Sequence, residues 1–252
     1  MKCFKLSLLL IIFCCLNSKA QTKLIELPTA ATLVKINYGF YYAGADLANR
    51  YGNHAVVGLA CHRKTPEGLS YGLNANVIFG SNVDAFHIID DLVNKDGFIT
   101  GTDGLQADIS ILMRGIKTGL TIGKTINVLS KNPNSGILIE AGLGYLQHKI
   151  RYEDIQNTVP QFDGEYVKVY DRLTSGIYLE QFIGYQYLDK RRLINFYAGL
   201  NIIEGFTKNR RTVNFNTVEV EGNRLDISAG FKVGWIIPFY SKSVDNDRYY
   251  ID

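Results

Sequence analysis

Residues 224–240, RLDISAGFKVGWIIPFY, narrow the possible folds of this chain more than any other stretch. Taken two by two, Leu225, Ile227, Ala229, Phe231, Val233, Trp235, Ile237 and Phe239 fall on one face, with Asp226, Ser228, Gly230, Lys232 and Gly234 on the other. Alternation with period two over about fifteen residues marks a strand with one apolar and one polar face. Strands of water-soluble proteins usually run to about 5–6 residues. At roughly 3.3 Å per residue this one reaches about 45–50 Å, enough to cross the apolar core of a bilayer at a tilt near 40°.

The first twenty residues carry Lys2 and Lys5, the apolar run Leu6–Leu16, then Ser18-Lys19-Ala20 before Gln21. A basic start, a short apolar core and small residues three and one before the cut describe a secretory leader cleaved after Ala20. Its removal takes away Lys2, Lys5 and Lys19 and no acid, so 24 basic residues then face 24 acidic ones. A mature chain of zero net charge gives no support for nucleic-acid binding. Cys3, Cys14 and Cys15 leave with the leader, so Cys61 is left without an intramolecular disulfide partner. No stretch is long and apolar enough for a helical span, which needs about 20 residues.

Seven further alternating segments precede the last: about Leu33–Ala43, His54–Arg63, Leu69–Phe79, Lys117–Leu129 (with weak alternation over Ala107–Met113 allowing an earlier start), Ile137–Ile150, Thr174–Leu188 and Leu193–Phe206. Their connections alternate between loop and tight turn, the turns being Lys64–Gly68, Ser130–Gly136 and Asp189–Arg192. The long connections are about 80–116 and 151–172, and Asp84–Asn94 within the first has the spacing of a short surface helix. This rhythm predicts an all-β fold: an eight-stranded antiparallel up-and-down transmembrane β-barrel, one domain over residues 21–252, with short periplasmic extensions at both ends. A lipocalin-like soluble barrel is the competing architecture, and it puts its apolar face inside. Here the polar face is mostly small, Gly, Asn, Ser and Thr, as a crowded lumen requires, and the apolar face is large and aliphatic, as lipid requires.

The architecture resembles the OmpA/OmpX-type small outer-membrane barrels, and more closely a group of uncharacterised outer-membrane β-barrel proteins of Bacteroidetes. The likeness is carried by Gly44–Gly52 (GADLANRYG), Asn132–Ile137 (NPNSGI), Leu146–Arg151 (LQHKIR), Phe182–Leu188 (FIGYQYL) and Ile194–Leu200 (INFYAGL). In the last strand, Lys232, Gly234, Ile237 and Phe239 match the terminal-strand signal through which such barrels engage the insertion machinery. The resemblance implies the fold, the cell outer membrane, and a bilayer with lipopolysaccharide as surroundings. It carries no catalytic residue, cofactor or metal to this chain.

Four histidines, His54, His62, His87 and His148, are the candidates for chemistry. None has the close spacing of a metal site within one element. His87 with Asp84, Asp90 and Asp91 comes nearest to the acid/histidine pattern of outer-membrane hydrolases, a pattern that a solvated charged loop also produces. The inward charges are more informative. Lys35 and Lys232 are expected as neighbours where the barrel closes, with Asp226 nearby, facing Glu140 and Glu180 across the lumen. Charges in a narrow lumen need partners, so these five residues are expected to form an ion network. Such a network either plugs the barrel or gates a narrow pore. The leading expectation is a structural and interaction role, docking onto a larger envelope complex; the alternatives are a hydrolase and a gated pore.

Overall fold

The computed structural model describes residues 28–84, 88–128, 130, 132–189, 194–211 and 222–240. The leader and its cleavage position, His87, Leu129 and most of the last turn and last loop lie outside these residues.

Eight strands follow in order: β1 (Ala31–Ala45), β2 (His54–Lys64), β3 (Leu69–Gly80), β4 (Ile109–Ile126), β5 (Gly136–Asp154), β6 (Thr174–Leu188), β7 (Asn195–Asn209) and β8 (Asn223–Tyr240). Each pairs antiparallel with the next, and the ring closes between β1 and β8, from Ala31 opposite Tyr240 to Ala45 opposite Asp226. No edge is left unpaired, which is how a sheet satisfies its backbone inside lipid. Traced through paired residues from Phe40, one way round reaches Lys149 on β5 and the other reaches Ile139, ten residues apart. Eight strands with that stagger tilt by about 40° and form a cylinder of about 8 Å radius measured to the backbone. Side chains fill such an interior.

Outward residues are large and apolar along every strand, among them Ile36, Leu59, Leu73, Leu120, Leu143, Ile183, Leu200 and Phe231. Aromatic rings fall towards the two borders of this belt: Tyr71, Phe196, Trp235 and Phe239 at the short-turn end, Tyr42, Phe79 and Phe206 at the long-loop end.

Two strands run further than their alternation predicts. β4 begins at Ile109, not Lys117, and β5 runs on to Asp154. Above the belt the sense of alternation inverts. Ile109, Ile111, Met113, Ile150 and Tyr152 face an apolar interior, while Arg114, Lys149, Arg151 and Glu153 face outward. A reading that keeps apolar residues outside loses the strand at that crossing. The loop 81–108 is correspondingly shorter than the 80–116 expected. Its described part holds a three-residue 3-10 turn, Asp90–Leu92, in place of the predicted surface helix. Ile88 and Ile89 are buried there, so this segment packs inward and does not lie on the surface.

The interior holds an apolar cluster at each end. At the short-turn end, Leu33, Leu138, Phe182, Leu188, Tyr197 and Ile236 form a floor. The turn Asn132–Gly136 folds beneath it: the Asn134 side chain accepts from Lys64 Nζ at 2.9 Å, and Asn132 and Ser135 donate to the Leu188 carbonyl. At the other end, Leu47, Tyr51, Ile88, Ile89, Ile99, Val159, Phe162 and Tyr170 from three loops pack onto lumen residues to form a cap. Backbone hydrogen bonds join those loops, among them Asp84 N to Arg50 O (2.8 Å) and Thr102 N to Thr158 O (2.9 Å). Tyr170 donates its hydroxyl to Asp91 at 3.1 Å, and burial, with Asp91 adding to it, pushes the phenol up to about 12.

Candidate functional site

Between floor and cap lies a belt of buried charge. The inward face of each strand places it, because alternate residues of a strand share a face. Lys35 on β1 reaches Glu140 on β5 at 2.5 Å. On β6, Glu180 holds two cations, Lys117 of β4 at 2.5 Å and Lys232 of β8 at 3.0 Å. The His62 Nδ1 atom stands 3.5 Å from Glu140. Lys35, Lys117, Glu140 and Glu180 are each 5 % exposed or less.

Three lysines thus meet two carboxylates. Aromatic faces take up the excess positive charge: Lys35 lies 5.0 Å from the Tyr197 ring centre, Lys117 5.0 Å from that of Tyr178, and Lys232 5.8 Å from that of Phe182. A desolvated cation over a ring gains about 0.5–2 kcal/mol. The belt is a cross-brace, joining β1 to β5 and joining β4 and β8 to β6.

The structure rearranges the expected network in three ways. Lys35 and Lys232 flank the closing seam but lie four residues apart along it, since Gly39 is the residue opposite Lys232, and they bind different acids. Asp226 does not belong to the belt. It lies six residues further along β8, beneath the cap, with His148 Nε2 at 3.0 Å, the Thr207 hydroxyl at 2.5 Å and Arg224 at 3.4 Å. Lys117, missed from sequence, is a full member. Its position two residues before Gly119 puts it on the polar face, but the expected strand only began there.

A second layer, just under the cap, contains His54 and His148. His54 Nε2 is 3.1 Å from the Ser228 hydroxyl, and its other ring nitrogen faces the Gly52 carbonyl at 3.3 Å. The Ser/His and His/Asp pairs thus use different histidines. Both pairs border an enclosed space of about 10 Å³ walled by Leu47, Val56, Ile78, Met113, Leu146 and Ile203. That holds at most one water and has no room for a substrate, so the arrangement locks strands together. Among the described residues, no group of three or more His, Cys, Asp or Glu side chains could hold a metal ion. Of the expected loop constellation His87, Asp84, Asp90 and Asp91, His87 lies outside the described residues and Asp91 is engaged by Tyr170.

Lys232 and Gly234 of the terminal signal have internal partners of their own. A Cβ on Gly234 would stand 2.2 Å from the Tyr197 ring, the ring that lies over Lys35. Ile237 and Phe239 face outward.

The outward face contains a polar spot of which the alternation of the sixth strand already shows one half, Gln181, as a flaw in its apolar face. Gln181, at the centre of β6, and Glu204 on β7 point away from the lumen; Gln181 is opposite Ile202 and Glu204 opposite Leu179, so the two are diagonal neighbours. Both lie inside the apolar belt.

No family model matches the chain, and no curated protein does. Solved structures similar to it include the Neisserial surface protein A (10 % identity, 83 % of this chain and 99 % of that one, TM-score 0.44). The attachment invasion locus protein Ail of Yersinia pestis is another (8 %, 83 % and 99 %, TM-score 0.40). A third is the outer membrane protein OprG of Pseudomonas aeruginosa (9 %, 87 % and 100 %, TM-score 0.37). The fold itself rests on the closed hydrogen-bonded ring.

Proposed function

We propose that this chain is an integral outer-membrane β-barrel with a structural and interaction role, displaying its long loops outside the cell and docking onto a larger envelope assembly. In this reading the leader is removed after Ala20, and the insertion machinery reads Lys232, Gly234, Ile237 and Phe239. The barrel sits in bilayer and lipopolysaccharide with its short turns in the periplasm. The apolar outward belt with aromatic borders supports the membrane setting. The five stretches quoted above are the ground for placing the lineage among Bacteroidetes barrels.

The observation that carries the interaction role is the filled lumen. Among the described residues an apolar floor, a paired ion belt and an apolar cap fill the lumen, and the Ser/His and His/Asp pairs lie beneath the cap. What remains for function is the outer surface. Gln181 and Glu204 mark where a partner docks, because a carboxylate facing lipid is costly, though less so than the about 2–4 kcal/mol of an arginine or lysine at mid-depth. A membrane partner that donates hydrogen bonds to both removes that cost.

In gently solubilised outer membranes the parent protein is expected to migrate in native gels as part of a larger complex. The double variant Gln181→Leu/Glu204→Leu should migrate as a free barrel while keeping its folded, heat-modifiable form. A parent that already runs alone, or a double variant that stays in the complex, would refute docking through this face.

A further inference from the structure

At the long-loop end, the outward face of β4 and β5 changes character within one residue pair. Below, Val77 and Ile116 belong to the apolar belt, each about half exposed. Immediately above, Arg114 and Lys149 are direct cross-strand partners, with Arg151 two residues further along the same face of β5. Like charges directly opposite each other destabilise a strand pair. The chain compensates only in part. Glu153 is shared by Arg114 (3.6 Å) and Arg151 (3.0 Å), and Lys149 reaches Asp171 only at 3.9 Å, a carboxylate already engaged by the Arg211 guanidinium. With Arg211 beside Asp171 and Asp163 on the rim, four cations face three carboxylates at this place.

Arg114, Lys149, Arg151 and Asp163 line a groove of about 530 Å³, bordered by Phe162, Gly164 and Val167 of the loop 155–173 and reaching Val77 and Ile116. The space is in the range of a small-molecule site and far exceeds what one inorganic ion needs. Its polarity is layered, with cations above and aliphatic surface below, and it sits at the border of the apolar belt. That layering matches an amphiphile whose anionic headgroup stays at the border while its chains run down the barrel wall. Arginine and lysine together offer the forked and point-charge donors that phosphate oxygens accept.

We propose that this groove binds a phosphorylated lipid of the outer leaflet, with the phosphate held by Arg114, Lys149 and Arg151 and the acyl chains lying over Val77 and Ile116. The site depends on the barrel spanning the outer membrane, and the two claims fail separately. Heat-modifiable mobility and insertion into vesicles test the membrane setting without reference to the groove.

The binding test titrates delipidated, detergent-folded protein with bis-phosphorylated lipid A, with its dephosphorylated form and with inorganic phosphate, read by native mass spectrometry. The phosphorylated lipid should bind about tenfold or more tightly than the dephosphorylated one, and Arg114→Gln/Lys149→Gln should remove that preference. Lys124→Gln, at the opposite end of β4, should leave it unchanged. If the double variant does not fold, Arg151→Gln alone should still weaken the preference. Equal binding by parent and groove variants, or equal binding of both lipids, would overturn the proposal. Displacement of the lipid by inorganic phosphate alone would assign the groove to a free anion and overturn it as well.

Discussion

At the residue scale, the best-resolved feature is the asymmetry between Glu180 and its partners. Glu180 holds Lys117 and Lys232 together, whereas among the described residues each lysine has only that one carboxylate within 4 Å. Removing Lys232 leaves Glu180 still paired; removing Glu180 strands two buried cations. Breaking a buried pair costs about 3–5 kcal/mol. In urea unfolding of the vesicle-inserted protein, Glu180→Ala should therefore destabilise clearly more than Lys232→Ala. Lys232→Ala with Glu180→Ala should cost less than the sum of the two, because neighbours in one network are not additive. Costs that simply add, or a Lys232 variant as damaged as the Glu180 variant, would contradict the pairing. Much of this was legible from alternation alone, which put Lys35, Glu140, Glu180 and Lys232 inside. Alternation tells which face a residue occupies and says nothing of its height in the barrel. Height depends on register and on the ten-residue stagger, which is why Asp226 was grouped with the wrong layer. Lys117 was missed for a simpler reason, that its strand was thought to start there.

At the scale of elements, β8 serves two purposes. Its residues match a terminal signal, yet Gly234 also makes room for the Tyr197 ring, 2.2 Å from where a Cβ would be. The two demands separate experimentally. Gly234→Ala should slow barrel folding in detergent, with no insertion machinery present, and Tyr197→Leu should largely restore the rate by vacating the space. Phe239→Ser, which alters an outward residue, should fold normally in detergent and lower abundance only in cells. A Gly234→Ala barrel that folds at the parent rate in detergent would leave the signal as the glycine's sole role. The elements were well predicted where large apolar residues lie outside and small polar residues lie inside. They were mispredicted at the tops of β4 and β5, where the cap turns the interior apolar. No local pattern announces that reversal, because the residues forming the cap come from three loops far apart in sequence: Leu47 and Tyr51, Ile88 to Ile99, and Val159 to Tyr170.

At the scale of the whole molecule, the described residues stack in layers that fill the cylinder with side chains. Floor, ion belt, histidine layer and cap each span a lumen of about 8 Å backbone radius, a width that side chains can fill. The floor is bound to the turn Asn132–Gly136 and the cap to hydrogen-bonded loops, so neither end depends on one contact. In the proposed reading such a barrel acts through the surfaces it presents: its loops, the Gln181–Glu204 spot and the groove beside Arg114. The central claim, that the lumen is closed, is tested most directly by single-channel recording of purified protein in planar bilayers. The account predicts insertion without steady conductance for the parent, with brief openings appearing only when the belt is broken, as in Glu180→Ala. Stable, voltage-independent conductance steps from the parent would contradict it.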